Sequence, residues 1–126
     1  GGFFPSWLAN ALVLEMIEPA LISLEQIILL DGSPRRLSEA QVLDEYMENL
    51  HRPRVQPIYL DISEDESRRR LTARGRTDDT TGAITNRLAW FTTEVVPVLI
   101  YYGNRLITVS GEGDISVIHA KIIESL

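Results

Sequence analysis

Cysteine is absent from the 126 residues. That excludes disulfide bridges and thiolate metal sites, and it makes a reducing compartment, the cytoplasm, the natural expectation. No apolar stretch approaches the roughly 18 residues of a membrane span, so no membrane partner is expected. Lysine is nearly absent as well: eleven of the twelve basic residues are Arg, and Lys121 is the exception. No Gly-x-x-x-x-Gly-Lys-[Ser/Thr] phosphate loop occurs, and Lys121 cannot supply one from its apolar surroundings. Gly111-Glu112-Gly113 is half of a dinucleotide fingerprint, but Ser116 stands where the third glycine belongs, which excludes that reading. His51 and His119 are too far apart in sequence to suggest a metal pair. Ser33 has no partner base that would make it a hydrolase nucleophile.

What is present is ordinary in amount and unusual in placement. Apolar residues make up 44% and charged residues 24% of the chain, as in soluble globular domains. The length suits one domain, 1–126. Between Arg68 and Arg87 lie six Arg and two Asp, a local charge of +4, while the remainder carries −10. So acidic a surface repels a nucleic-acid backbone, so no nucleic acid is expected as a partner. A compact Arg island suits a small polyanion, because the guanidinium group makes forked contacts to phosphate oxygens. The plainer alternative is a solvated helix face of mixed charge.

Helical and extended patterns alternate along the chain. Pro5-Ser6 opens a helix carrying Leu8, Leu12, Val13 and Ile17 at helical spacing. Ile27–Leu30 is an unbroken apolar run, the mark of a strand buried on both faces, and it ends at the turn Asp31-Gly32-Ser33-Pro34. Ser38 to Gln41 reads as a capping box for a helix through Leu50. A second strand is expected over 57–60, and a helix capped by Ser63 runs into the Arg cluster until Gly75. Another helix carries Ile84, Leu88 and Phe91, and bends or restarts before Pro97. A third strand is expected over 106–109, and Asp114 caps a final helix. Trp7 and Trp90 are expected in core or hinge packing. This order implies an α/β fold, a parallel sheet with helices on both faces and three strands present. Ligands of such sheets sit beyond the carboxyl ends of the strands, here Asp31 to Arg35, Asp61 and the Ser110-Gly111 turn.

Arg70 and Arg74 are four residues apart on one helix side, Arg76 follows Gly75, and Arg87 lies about two helical turns past Asp79. Phosphoryl transfer relies on positioning and charge stabilisation, which such an arrangement supplies, with Asp78 and Asp79 holding the guanidinium groups between substrates. An ion-pair network at a helix corner is the alternative. Asp31 is a candidate for the hydrated shell of Mg²⁺, and Arg35 for a phosphate.

Taken in order, these motifs resemble the adenylate kinases among the nucleoside monophosphate kinases. Gly1 to Pro5 resembles the family's Gly-x-Leu-Val-Pro, and "DGSPR" at 31–35 its Asp-Gly-Phe-Pro-Arg. "RLTARGRTDD" at 70–79 is similar to a shortened lid, here about 74–79, and "NRL" at 86–88, "VVPVLIYY" at 95–102 and the Gly113 turn follow in register. The resemblance implies an incomplete P-loop-NTPase-like three-layer fold, and an enzyme that moves the terminal phosphoryl group of Mg·ATP to AMP. It implies Arg35, Arg76 and Arg87 on the monophosphate and the transferring group, with Asp78 and Asp79 as lid carboxylates. It places Phe4 and Gly32 along the AMP pocket, and Arg70, Arg74, Gly111 and Gly113 on the ATP side. It gives Asp31 a water on Mg²⁺, and it implies no zinc and a monomeric full-length protein.

Two residues depart from the family pattern. Ser33 replaces an aromatic. Glu39, four past Arg35, stands where a Gln reads the adenine of AMP; an ionised Glu only accepts hydrogen bonds. Gln41, two residues on, is the alternative reader, and guanine the alternative base. The missing phosphate loop implies the carboxyl-terminal part of an adenylate-kinase-like enzyme, inactive alone. A non-catalytic nucleotide-binding or regulatory module is the rival reading.

Overall fold

The computed structural model describes residues 5–18, 27–76 and 80–126. They fall into two compact units, Gly1–Val55 and Gln56–Leu126.

In the first unit, helix α1 (Ser6–Ile17) begins at Pro5, whose carbonyl accepts from the amides of Leu8 and Ala9. Proline suits a helix start, because it has no N–H to leave unpaired. Helix α2 (Leu37–Asn49) is capped at Arg36 and starts two residues earlier than a Ser38 cap would allow. The cap comes from Glu39 instead. Its Oε2 reaches back to the backbone N–H groups of Arg35 at 2.8 Å and Arg36 at 3.3 Å, both of which a helix end otherwise leaves open. Ile17, Leu43 and Met47 form the core, with Val13, Ile28, Leu30, Tyr46 and Val55 packed around them.

The expected strand at 27–30 makes no ladder among the described residues. Ile28 and Leu30 face the core cluster, while Ile27 and Leu29 are 85% and 87% exposed. A segment expected to be buried on both faces is thus covered on one only. Trp7 is likewise exposed rather than in the core. Helix α1 is apolar nearly all round, and a single neighbouring face cannot cover every side of such a helix.

In the second unit, β1 (Ile58–Asp61) and β2 (Ile107–Ser110) pair in parallel, with Ile58 opposite Ile107 and Asp61 opposite Ser110. Both lie one residue later than the sequence pattern predicts. The ladder is extended at either end, by Ile107 donating to the Pro57 carbonyl and Gly111 to that of Asp61. The fold is therefore α/β around a two-stranded parallel sheet, consistent with an incomplete P-loop-NTPase-like architecture; two of the three expected strands are formed. Four helices accompany the strands among the described residues: α3 (Glu64–Arg74), α4 (Thr81–Trp90), α5 (Val96–Tyr102) and α6 (Ile115–Ser125). The restart before Pro97 takes the form of a π-helical turn, Phe91–Val95, between α4 and α5. Proline lacks an N–H and its ring crowds the carbonyl four residues back, so a widened turn resolves the conflict without ending the helix. Tyr59 of β1 stacks on Phe91 of that turn, with ring centroids 6.2 Å apart. Among the described residues, Ile84, Val98, Tyr102 and Val109 are the buried side chains of this unit. Asp114 caps α6 through Ser116, as the sequence predicts.

Candidate nucleotide site

Residues 31–36 connect the 27–30 segment to α2, and Arg35 organises the turn. Its Nε donates to the Gly32 carbonyl at 2.6 Å, and its backbone N–H donates to Glu39. Gly32 has φ +69°, and a Cβ there would meet Arg35 Nη2 at 2.7 Å. Only glycine both adopts that backbone and lets the guanidinium lie against it. The result is an exposed cation whose stem is fixed by its own loop. Arg36 reaches α1, where its Nη1 donates to Ser6 Oγ at 3.1 Å. Ser33 and Glu39 meet Ala9, Asn10, Val13, Leu14, Val42 and Leu43 around a hollow between α1 and α2. Gln41 is exposed, so of the two candidate base readers Glu39 is the one on the hollow.

Asp31 presents one exposed carboxylate at the start of the turn. Among the described residues no three His, Cys, Asp or Glu side chains gather into a metal cage. Mg²⁺ is commonly held by one or two carboxylates with several waters, so this donor fits an ion carried on a nucleotide.

In the second unit, the turn after β2 is latched to α3. Arg70 Nη2 donates to the Gly111 carbonyl at 2.8 Å, and its Nε to Glu66 at 2.6 Å. Glu112 accepts the backbone N–H of Ser63 at 2.9 Å, and this hydrogen bonding holds its carboxyl below the ordinary range. Gly111 is required by space: a Cβ would come within 2.9 Å of Ile62 Cγ2 and 3.3 Å of Leu60 Cβ. Ser63 caps α3 as expected, its Oγ accepting from the Glu66 amide. Glu66 does not close a capping box with the Ser63 amide, because its carboxylate is taken by Arg69 and Arg70 and that amide donates to Glu112.

Arg74 and Arg76 are exposed at the end of α3 and just past it, and Arg87 is half-buried on α4. Arg68 bridges α3 to α4 through Thr85 at 3.5 Å. The structure thus joins Arg35 with Gly32 and Glu39, and Arg70 with Gly111. Phe4, Asp78 and Asp79 lie outside the described residues. Glu66, Glu112 and Asn10 were not singled out by sequence reasoning. The signal for Glu66 was available, since it stands three and four residues before two arginines on one helix.

Hydrogen bonds from Arg69 and then Arg70 pull the Glu66 carboxyl down from 4.5 to about 2. A lowered carboxyl contributes stability above its unfolded value and loses it as pH falls towards the folded one. The Glu66–Arg70 latch is expected to hold above about pH 4.5 and to weaken as pH drops to about 2. Carbon-detected titration of the Glu66 carboxyl checks this, and an ordinary midpoint near 4.5 contradicts it.

Two parallel strands, one leading into a Ser63-capped helix and the other into a glycine turn latched by Arg70, place the second unit in the α/β class. No protein-family model matches the sequence. Individual relatives do. The chain is 32% identical to the adenylate kinase of Oenococcus oeni over 124 residues, 97% of this chain and 66% of that protein. It is 33% identical to the adenylate kinase of Mycobacterium sp. (strain MCS), over 100% of this chain and 68% of the relative. The figures for Mycolicibacterium paratuberculosis adenylate kinase are 35%, 100% and 68%. The chain belongs to the adenylate kinase family, a family of phosphoryl-transferring enzymes, and spans about two thirds of the length of the curated relatives it matches.

Proposed function

We propose that the chain supplies the acceptor side and the ATP-side clamp of an adenylate kinase, the part that follows the phosphate-binding loop in its relatives. The reaction is reversible transfer of the terminal phosphoryl group of Mg·ATP to AMP, giving two ADP, in the cytoplasm. The observation that carries this reading is the Arg35 turn. Its guanidinium is steadied by the Gly32 carbonyl through Nε, which leaves the Nη edge for a phosphate.

On this reading Arg35 holds the AMP phosphate, and Arg76 and Arg87 neutralise charge on the moving group. The backbone at Phe4 and Gly32 lines the AMP pocket. Arg70 lies on the ATP side, fixed by Glu66 against the Gly111–Gly113 turn that meets the adenine, and Arg74 joins it there. Asp78 and Asp79 hold guanidinium groups, and the short lid, about 74–79, excludes water during transfer. Asp31 is the residue that would hold a water of Mg²⁺, and the ion would supply positive charge against the ATP phosphates. The chain serves as one domain of the kinase core. No helix among the described residues is long and apolar enough to cross a membrane. ADP formation is the test: we expect it where a phosphate-binding loop accompanies these residues, and none from the 126 residues alone.

A further inference from the structure

Resting on that reading, we infer that Asn10 is a specificity residue for the acceptor base, sharing with Glu39 the hydrogen bonds that a single amide would otherwise make. The hollow between α1 and α2 has an apolar wall of Ala9, Val13, Leu14, Val42 and Leu43, and a polar side of Asn10, Ser33 and Glu39. Its enclosed part, about 10 Å³, takes roughly one water, and the surrounding space opens to solvent. It accepts the edge of a flat ring rather than a buried ligand.

Glu39 has only half of its carboxylate to offer. Oε2 already takes the amides of Arg35 and Arg36. Oε1 can accept one N–H, such as the exocyclic amine of adenine. The ring nitrogen beside that amine is an acceptor and needs a donor, which a carboxylate lacks. Asn10, half-buried on α1, carries two amide N–H donors and has no hydrogen-bond partner among the described residues. It therefore supplies the donor that Glu39 cannot. Guanine carries a carbonyl where adenine has the amine and an N–H at the ring nitrogen, so it sets an acceptor against Glu39 and a donor against the Asn10 N–H groups and is disfavoured.

The test is AMP binding by the 126-residue chain, measured by calorimetry beside 1-deaza-AMP, in which carbon replaces the ring nitrogen. Asn10→Leu should weaken AMP about tenfold, the loss of one good hydrogen bond, and leave 1-deaza-AMP unchanged. Adding Glu39→Gln to Asn10→Leu should restore the preference for AMP over 1-deaza-AMP, because a glutamine whose oxygen keeps the cap turns its N–H donors to the ring nitrogen. Equal losses for both nucleotides, no loss for either, or no rescue by Glu39→Gln overturns the inference while the functional reading stands. Failure of the unmodified chain to bind AMP overturns both.

Discussion

ADP formation from Mg·ATP and AMP by the 126 residues alone is expected to fall at least about 1,000-fold below that of the Oenococcus oeni relative in the same coupled assay. The magnitude follows from what the sequence does not contain. Phosphoryl transfer depends on donors aimed at the phosphate oxygens, and losing one such donor typically costs about 100- to 1,000-fold. A phosphate loop supplies several backbone donors and a lysine together. Here there is no such loop, and the single lysine, Lys121, is exposed on α6. The arginines can orient and neutralise a phosphoryl group, but they cannot replace the cradle around the phosphates it leaves. Turnover within about tenfold of the relative would mean that these residues hold the ATP phosphates by some other route.

The second large effect is at Arg35. Arg35→Ala is expected to weaken AMP binding about 10- to 100-fold and to leave adenosine binding unchanged, both read by calorimetry. Hydrogen bonds to charged groups contribute about 1.5–3 kcal/mol, and about 1.4 kcal/mol is a factor of ten. The effect should shrink with added salt, because Arg35 is exposed. The comparison with adenosine separates loss of a phosphate contact from collapse of the turn. If both ligands weaken alike, Arg35 is a loop brace, donating to Gly32 and nothing more.

The parts of the fold that rest on local chemistry could be read from the sequence. Ser63 and Asp114 cap α3 and α6, and α3 ends at Gly75, because caps and stops depend on neighbours a few residues away. The kink before Pro97 was legible for the same reason, although its π-helical form was not. Parallel strands were legible from short apolar runs, with a one-residue offset that periodicity alone does not fix. The failures involve partners distant in the chain or competing for one group. Ile27–Leu30 has a strand's composition but no ladder neighbour among the described residues. The start of α2 was misplaced because Glu39, rather than Ser38 and Gln41, reaches the open amides of Arg35 and Arg36. At the site, Arg35 and Gly32 were legible as a motif. The latch of Arg70 onto Gly111, 41 residues away, was not, since no local spacing encodes it. Asn10 was missed because a polar residue on a mostly apolar helix gains meaning only when α2 brings Glu39 to the same hollow.

The central claim is that the arginine-bearing turns of this chain hold nucleotide phosphates. Amide chemical-shift mapping with each nucleotide tests it most directly. AMP should shift the amides of Gly32, Ser33, Arg35 and Glu39 together, and ATP those of Arg70, Gly111, Glu112 and Gly113. Saturating nucleotide that leaves both groups of amides unmoved, or that shifts residues scattered elsewhere over the surface, would contradict the account.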